Sequence, residues 1–176
     1  MFNKIDKLSE TQFTEVFGNI FENANWIAKK LYEQKPFKNF QDLSKKMIGI
    51  FENADNQEKL KILSSHPDLA DKTKIGTLTP DSNKEQNNVG LDQCTEEEFN
   101  KFKNLNFEYK NKFGFPFILA VKGRKKSEIL LNFKKRVLSN KKTEFNEGVI
   151  QVVQIANLRL EEIKKKFFSM QHQQDL

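Results

Sequence analysis

The stretch Thr95 to Gly114, TEEEFNKFKNLNFEYKNKFG, decides the fold class. Thr95-x-x-Glu98 is a capping box, in which a hydroxyl and a carboxylate each satisfy a main-chain N–H that a first helical turn leaves open. Phe99, Phe102, Leu105, Tyr109 and Phe113 then recur at helical spacing. Gly114 stands where a left-handed residue ends a helix. Upstream, Ser9-x-x-Gln12 repeats the device, with Leu8 and Phe13 placed as a hydrophobic staple, and Phe13, Val16, Phe17, Ile20 and Phe21 continue the period. Trp26, Ile27 and Leu31 predict a helix ending before Pro36, and Phe40, Leu43, Met47, Ile50 and Phe51 predict the next. A helix over Glu58–Ser65 stops at His66, because Pro67 disfavours the α conformation of the residue before it. Downstream, Ser127–Leu138 and Glu144–Phe168 predict the last two helices.

Two stretches break the pattern. From about Asp71 to Gln93 the apolar period collapses, and Gly76, Pro80, Asp81, Ser82, Asn83 and Gly90 mark loop or broken-helix structure. A long irregular stretch inside one domain is often functional. Phe115 to Val121, FPFILAV, is wholly apolar, too short for an independent helix and without alternation, so it reads as a buried strip.

Composition agrees with this reading. Seven Gly and four Pro in 176 residues, with 17 Phe and abundant Lys, Glu and Leu, favour helices over a turn-rich sandwich or barrel. The expected fold is all-α: a single compact multi-helix domain over residues 1–170 with an irregular active-site segment, and a frayed tail at 171–176. The single Cys94 excludes an intramolecular disulfide and fits a reducing compartment, so a cytoplasmic protein is expected. The N-terminal residues lack a signal-peptide core, the C-terminus is not Ser-Lys-Leu, and no apolar run approaches the ~20 residues needed to span a bilayer. No membrane association is expected. The net charge of +6 raises nucleic acid as a partner, through the basic runs at 122–126, 134–136 and 164–166. These sit among 24 acidic residues without interleaved aromatic side chains, so solvated helix faces explain them better. The rival reading, a non-catalytic module binding RNA or an acidic partner, would rest on those lysines. Of the 30 basic residues only Arg124, Arg136 and Arg159 are arginine, which singles them out where a planar, permanently charged fork is wanted.

Candidate chemistry starts at His66, the only histidine outside the tail. It titrates near neutrality and could exchange protons, or it could be a structural histidine at a helix end. Ser82, Glu85 and Gln86 put a hydroxyl, a carboxylate and an amide close together, able to orient a polar heterocycle, although an ordinary polar loop has the same composition. Arg159 falls on the apolar face defined by Phe145, Val149, Val152, Ala156, Ile163 and Phe167. A guanidinium there needs a buried carboxylate or an anionic ligand unless it snorkels outward.

Four strings carry a family resemblance: His66-Pro67-Asp68-Leu69-Ala70, Ser82-x-x-Glu85-Gln86, Asn106-x-x-Tyr109-x-x-Lys112-Phe113-Gly114-Phe115-Pro116-Phe117-Ile118, and Ile155-Ala156-x-x-Arg159-Leu160. In this order and spacing, over about residues 8–166, the chain resembles the decarboxylases of 2-oxo-4-hydroxy-4-carboxy-5-ureidoimidazoline (OHCU). Asn88-Val89-Gly90-Leu91 departs from the usual Ala-Gly-Leu. The resemblance implies an all-helical fold, commonly a homodimer, no metal or organic cofactor, and cofactor-free decarboxylation of the ureidoimidazoline to (S)-allantoin. It implies His66 as proton donor with Glu85 beside it. Substrate is expected around Pro67, around Ser82, Asn83, Lys84, Glu85 and Gln86, and along the backbone of Ile118, Leu119, Ala120, Val121 and Lys122. Arg159 is expected to face the pocket, toward the substrate carboxylate, the developing enolate or Glu85.

Overall fold

A computed structural model describes residues 5–70 and 79–172, with side chains as far as residue 167. Among the described residues there are eight α-helices and no strand: α1 Glu10–Phe17, α2 Asn25–Tyr32, α3 Phe40–Glu52, α4 Asn56–Ser64, α5 Pro80–Asn87, α6 Glu96–Phe113, α7 Lys126–Arg136 and α8 Lys141–His172. The expected all-α class is what the chain adopts. Both capping boxes form, and Gly114 takes φ 86° as the C-cap of α6, a left-handed conformation that glycine reaches without a Cβ clash.

The chain forms two contact units, 1–59 with 153–176, and 60–152. In the first, Phe13, Phe17, Ile27, Leu31, Leu43 and Phe51 have no exposed surface. Each such side chain contributes about 1.5–3 kcal/mol by leaving water. Phe13 and Phe17 pair within α1, ring centroids 4.6 Å apart, and Phe21–Phe51, at 4.8 Å, joins the turn between α1 and α2 to α3. In the second unit the core surrounds Tyr109, whose ring meets Phe113, Phe115, Phe117 and Phe133 at centroid distances of 4.4–5.9 Å. The strip after Gly114 cannot continue α6, because Pro116 has no N–H to give. Its residues 115–121 are all buried, which is why the run shows no alternation.

Three expectations are corrected. The polar run Ser82–Gln86 is not loop but the helix α5, so the broken-helix alternative holds for the described part of 71–93; residues 71–78 lie outside the described residues. Thr79 caps it, its hydroxyl accepting from Ser82 N–H at 3.3 Å, and Pro80 occupies the first turn. Periodicity missed this helix because the side chains it buries, Ser82 and Gln86, are polar. Helix α8 is longer than expected, beginning at Lys141 because Asn140 Oδ1 accepts from Thr143 N–H, and reaching His172, so Gln171 and His172 of the expected tail are helical. Its buried face is also rotated from the expected one, running through Glu144, Gly148, Gln151, Val152, Ile155, Ala156, Arg159 and Leu160. Gly148 sets that phase: a Cβ there would stand 2.7 Å from a Leu63 methyl and 3.5 Å from the Phe115 ring.

Candidate active site

His66 follows the last turn of α4, its N–H bonded to Leu63 O at 3.2 Å. Its Nδ1 lies 2.9 Å from the Ile62 carbonyl, which can only accept, so Nδ1 carries the proton. The neutral ring then presents its lone pair at Nε2. Protonation there leaves the Nδ1 bond intact, so the imidazole can gain or lose a proton without turning. His66 and Pro67 are half-buried, whereas Asp68, Leu69 and Ala70 are buried.

Three side chains hold the segment that follows. The Gln86 carboxamide accepts from Ala70 N–H at 3.0 Å and donates to Asp68 O at 3.2 Å. Asn106 Nδ2 donates to Leu69 O at 2.9 Å, and Lys110 Nζ lies 2.7 Å from Asp68 Oδ2. Ala70 sits at φ 56°, a left-handed conformation that costs a non-glycine residue roughly 1–2 kcal/mol and persists only where surroundings enforce it. Gln86 and Asn106 supply that enforcement. Because Gln86 adjoins Glu85, the same bonds seat the α5 carboxylate helix on the His66 loop. On α5, Ser82 and Gln86 are buried, Asn83 and Glu85 half-buried, and Lys84 exposed. Asn83 Oδ1 is a buried acceptor without a hydrogen-bond partner among the described residues.

Helix α6 serves the loop and the apolar strip together. Asn106 and Lys110 grip residues 68–69, while one turn along the same helix Tyr109 and Phe113 pack against Phe115 and Phe117. Ile118 to Val121 of the strip are buried, and Lys122, just after it, is exposed. The strip's polar groups find partners from three directions: Arg136 Nη1 donates to Ile118 O at 2.7 Å, Gln151 Oε1 accepts from Ala120 N–H at 2.9 Å, and Arg124 Nε donates to Ala120 O at 3.0 Å.

Arg159 is 6% exposed, so it does not snorkel. Of the partners left open for it, the structure supplies a protein carboxylate: Nη2 lies 2.9 Å from Glu22 Oε1, and Nη1 donates to Asn19 O and Ile20 O. All three arginines thus bond main-chain carbonyls, which suits a rigid, permanently protonated fork. Sequence reading missed Asn106, Lys110, Glu144 and Gln151 as site-building groups. Asn106 stands one position after Leu105, the residue that apolar spacing places inside, yet Asn106 is the buried one and Leu105 only half-buried. The signal that could have found the others is a polar residue in phase with an apolar face. Among the described residues, no group of three His, Cys, Asp or Glu could hold a metal ion.

Comparison with known proteins bears on the family and the fold. The family described as OHCU decarboxylase matches residues 6–161. The "Uric acid degradation bifunctional protein" of Bacillus sp. is 39% identical over 160 residues, 91% of this chain and 31% of that protein. This chain therefore spans about a third of that relative's length. The "2-oxo-4-hydroxy-4-carboxy-5-ureidoimidazoline decarboxylase" of Halalkalicoccus jeotgali is 33% identical, covering 90% of this chain and 89% of its own. Among solved structures, an (S)-allantoin synthase superposes with a TM-score of 0.73 at 25% identity, over 93% of this chain and 54% of that one. The chain belongs to the OHCU decarboxylase family.

Proposed function

We propose that this chain converts 2-oxo-4-hydroxy-4-carboxy-5-ureidoimidazoline to (S)-allantoin and CO2, without metal or organic cofactor. The observation that carries it is family membership over residues 6–161, a span that includes His66, Glu85 and the 118–122 strip. In that substrate the carbon bearing the carboxylate also bears a hydroxyl and adjoins a C=N bond. When the C–CO2 bond breaks, its electron pair forms a ring C=C bond and the C=N π pair moves to nitrogen, which takes a proton from solvent. The hydroxyl of the resulting enol then loses its proton while the ureido-bearing carbon gains one, giving the amide-type ring carbonyl of allantoin with one proton consumed overall. The substrate is its own electron sink, which removes the usual need for a carbanion-stabilising cofactor.

In this reading His66 Nε2 takes the hydroxyl proton and returns one to the ureido-bearing carbon from one face. The Nδ1–Ile62 bond supports this, because it holds the ring in one orientation through both states. Glu85 orients His66 or a ureido N–H. Pro67, the α5 residues Ser82 to Gln86 and the strip Ile118 to Lys122 hold the substrate, and the unpartnered Asn83 Oδ1 supports a ligand N–H there. Residues 1–170 work as one catalytic domain. A cytoplasmic homodimer completes the proposal, supported by exposed apolar Phe107, Leu131 and Leu138 in the 60–152 unit.

Freshly generated substrate decays unaided to racemic allantoin, so the deciding assay follows optical activity. Purified protein should hasten decay and leave an excess of the S enantiomer. Racemic product at the uncatalysed rate would remove the assignment. Light scattering of the same sample should give twice the mass of one chain.

A further inference from the structure

Beneath the strip lies a buried polar cluster that the proposed chemistry does not use. Arg136, near the end of α7, is 8% exposed, and Glu144, in the first turn of α8, is 2% exposed. Arg136 Nε donates to Glu144 Oε2 at 3.0 Å, Nη1 to Ile118 O at 2.7 Å, and Nη2 approaches the Tyr109 hydroxyl at 3.4 Å. The Tyr109 hydroxyl in turn donates to Glu144 Oε2, and the guanidinium carbon lies 4.6 Å from the centre of the Phe117 ring. All three nitrogens of the fork are engaged, in a geometry that the point charge of a lysine cannot reproduce.

Stability alone does not account for such a cluster. Burying an ion pair costs about as much in desolvation as its attraction returns, and apolar side chains of equal volume commonly serve a core as well. What apolar side chains cannot do is hold a main-chain carbonyl in one place. Arg136 holds that of Ile118, the first residue of the 118–122 backbone. Two residues on, Gln151 accepts from Ala120 N–H, and its own Nε2 donates to Glu147 Oε1 at 2.8 Å, which fixes the way round its amide sits. The strip is thus pinned at residues 118 and 120 from two different helices.

We propose that Arg136, held by Glu144 and Tyr109, is a positioning residue for the reaction: it sets the register of the 118–122 backbone that receives the substrate. The inference rests on the strip being the substrate platform. A ring held by main-chain groups needs them placed to within a fraction of an ångström, and looseness there costs binding and facial selectivity before it costs proton transfer.

The test uses the full chain as wild type, Arg136→Lys and Tyr109→Phe. Arg136→Lys keeps the charge and loses the fork, whereas Tyr109→Phe leaves the ion pair and removes only the hydroxyl. Amide hydrogen exchange at 118–122, referenced to α6, should accelerate about 10-fold or more in Arg136→Lys, as expected when the bond at residue 118 is lost. In the same variant KM should rise more than kcat falls, the enantiomeric excess should drop, and the pH profile of kcat should keep its shape because His66 is untouched. Tyr109→Phe should move every readout the same way by less, and carries the test if Arg136→Lys does not fold. Unchanged exchange in a folded variant overturns the positioning role. Accelerated exchange with unchanged KM and enantiomeric excess overturns its relevance to the reaction. A wild-type protein that yields racemic product sinks the functional reading itself, and with it Arg136 as a residue of that reaction; exchange then decides only whether Arg136 anchors the strip.

Discussion

Replacing Gln86 by Leu separates two roles for one side chain. A substrate-binding amide, as the family resemblance implies, would show mainly as a raised KM in a protein of normal stability. A loop clamp would show in stability and kcat. The geometry favours the clamp, since the carboxamide is committed at 3.0 Å to Ala70 N–H and at 3.2 Å to Asp68 O, and Gln86 is 6% exposed. Leucine keeps the volume but strands a buried donor and a buried acceptor, each worth about 1–3 kcal/mol when left unsatisfied. It also removes one of the restraints on left-handed Ala70, a conformation that costs roughly 1–2 kcal/mol. Hydration of a loosened loop recovers part of this, so a net loss of about 2–4 kcal/mol is expected. At roughly 2–4 °C per kcal/mol for a chain of this size, the melting midpoint should fall by about 4–16 °C. Loosening the loop also displaces the residues that follow His66, so kcat should fall about 10-fold or more with little change in KM. Calorimetry and steady-state kinetics on the same preparation decide it. A Gln86→Leu protein that melts within about 1 °C of wild type and differs only in KM would refute the clamp.

Other substitutions test separate links. His66→Asn should lower kcat by about 10²-fold or more while costing only ~1 kcal/mol for the lost Nδ1–Ile62 bond; normal turnover would make this histidine structural. Arg159→Met leaves the Glu22 carboxylate buried without its guanidinium and should destabilise by about 3–5 kcal/mol in urea titration, whereas a loss under about 1 kcal/mol would show the pair to be unimportant. Arg159→Lys should retain part of that stability. If its kcat/KM falls about 10-fold in the folded state, Arg159 also serves the substrate; full activity would remove it from the site. Burial and the adjoining Glu144 raise the Tyr109 pKa above its ordinary 10.0, so the native state holds a proton that the unfolded chain releases. Its contribution is complete below pH 10 and declines as pH rises beyond that, at up to about 1.4 kcal/mol per pH unit. Stability of Tyr109→Phe measured between pH 9 and 11 should fall less steeply than that of wild type, and parallel curves would contradict the shift.

Local chemistry was legible in the chain itself. Two capping boxes, a C′ glycine, the Ser65–Pro67 stop and the 3.6-residue apolar period placed most helices, because each of these signals is satisfied within one or two turns of backbone. The histidine at a helix end and the buried apolar strip were legible for the same reason. What tertiary structure alone decided is which polar groups go inside. Helix α5 hid from periodicity because Ser82 and Gln86 bury amide and hydroxyl where an apolar residue would have announced the face. Asn106 lies buried in place of Leu105 because Leu69 O needs a donor, and the face of α8 turns toward Glu144 and Gln151 because Arg136 and Ala120 N–H need acceptors. Those demands come from main-chain and side-chain groups about 8 to 37 residues away in sequence, and an unpaired buried polar group costs as much as a misplaced methyl. A hydrogen bond between distant residues leaves no periodic trace along the chain, so the pairing exists only once the helices have packed.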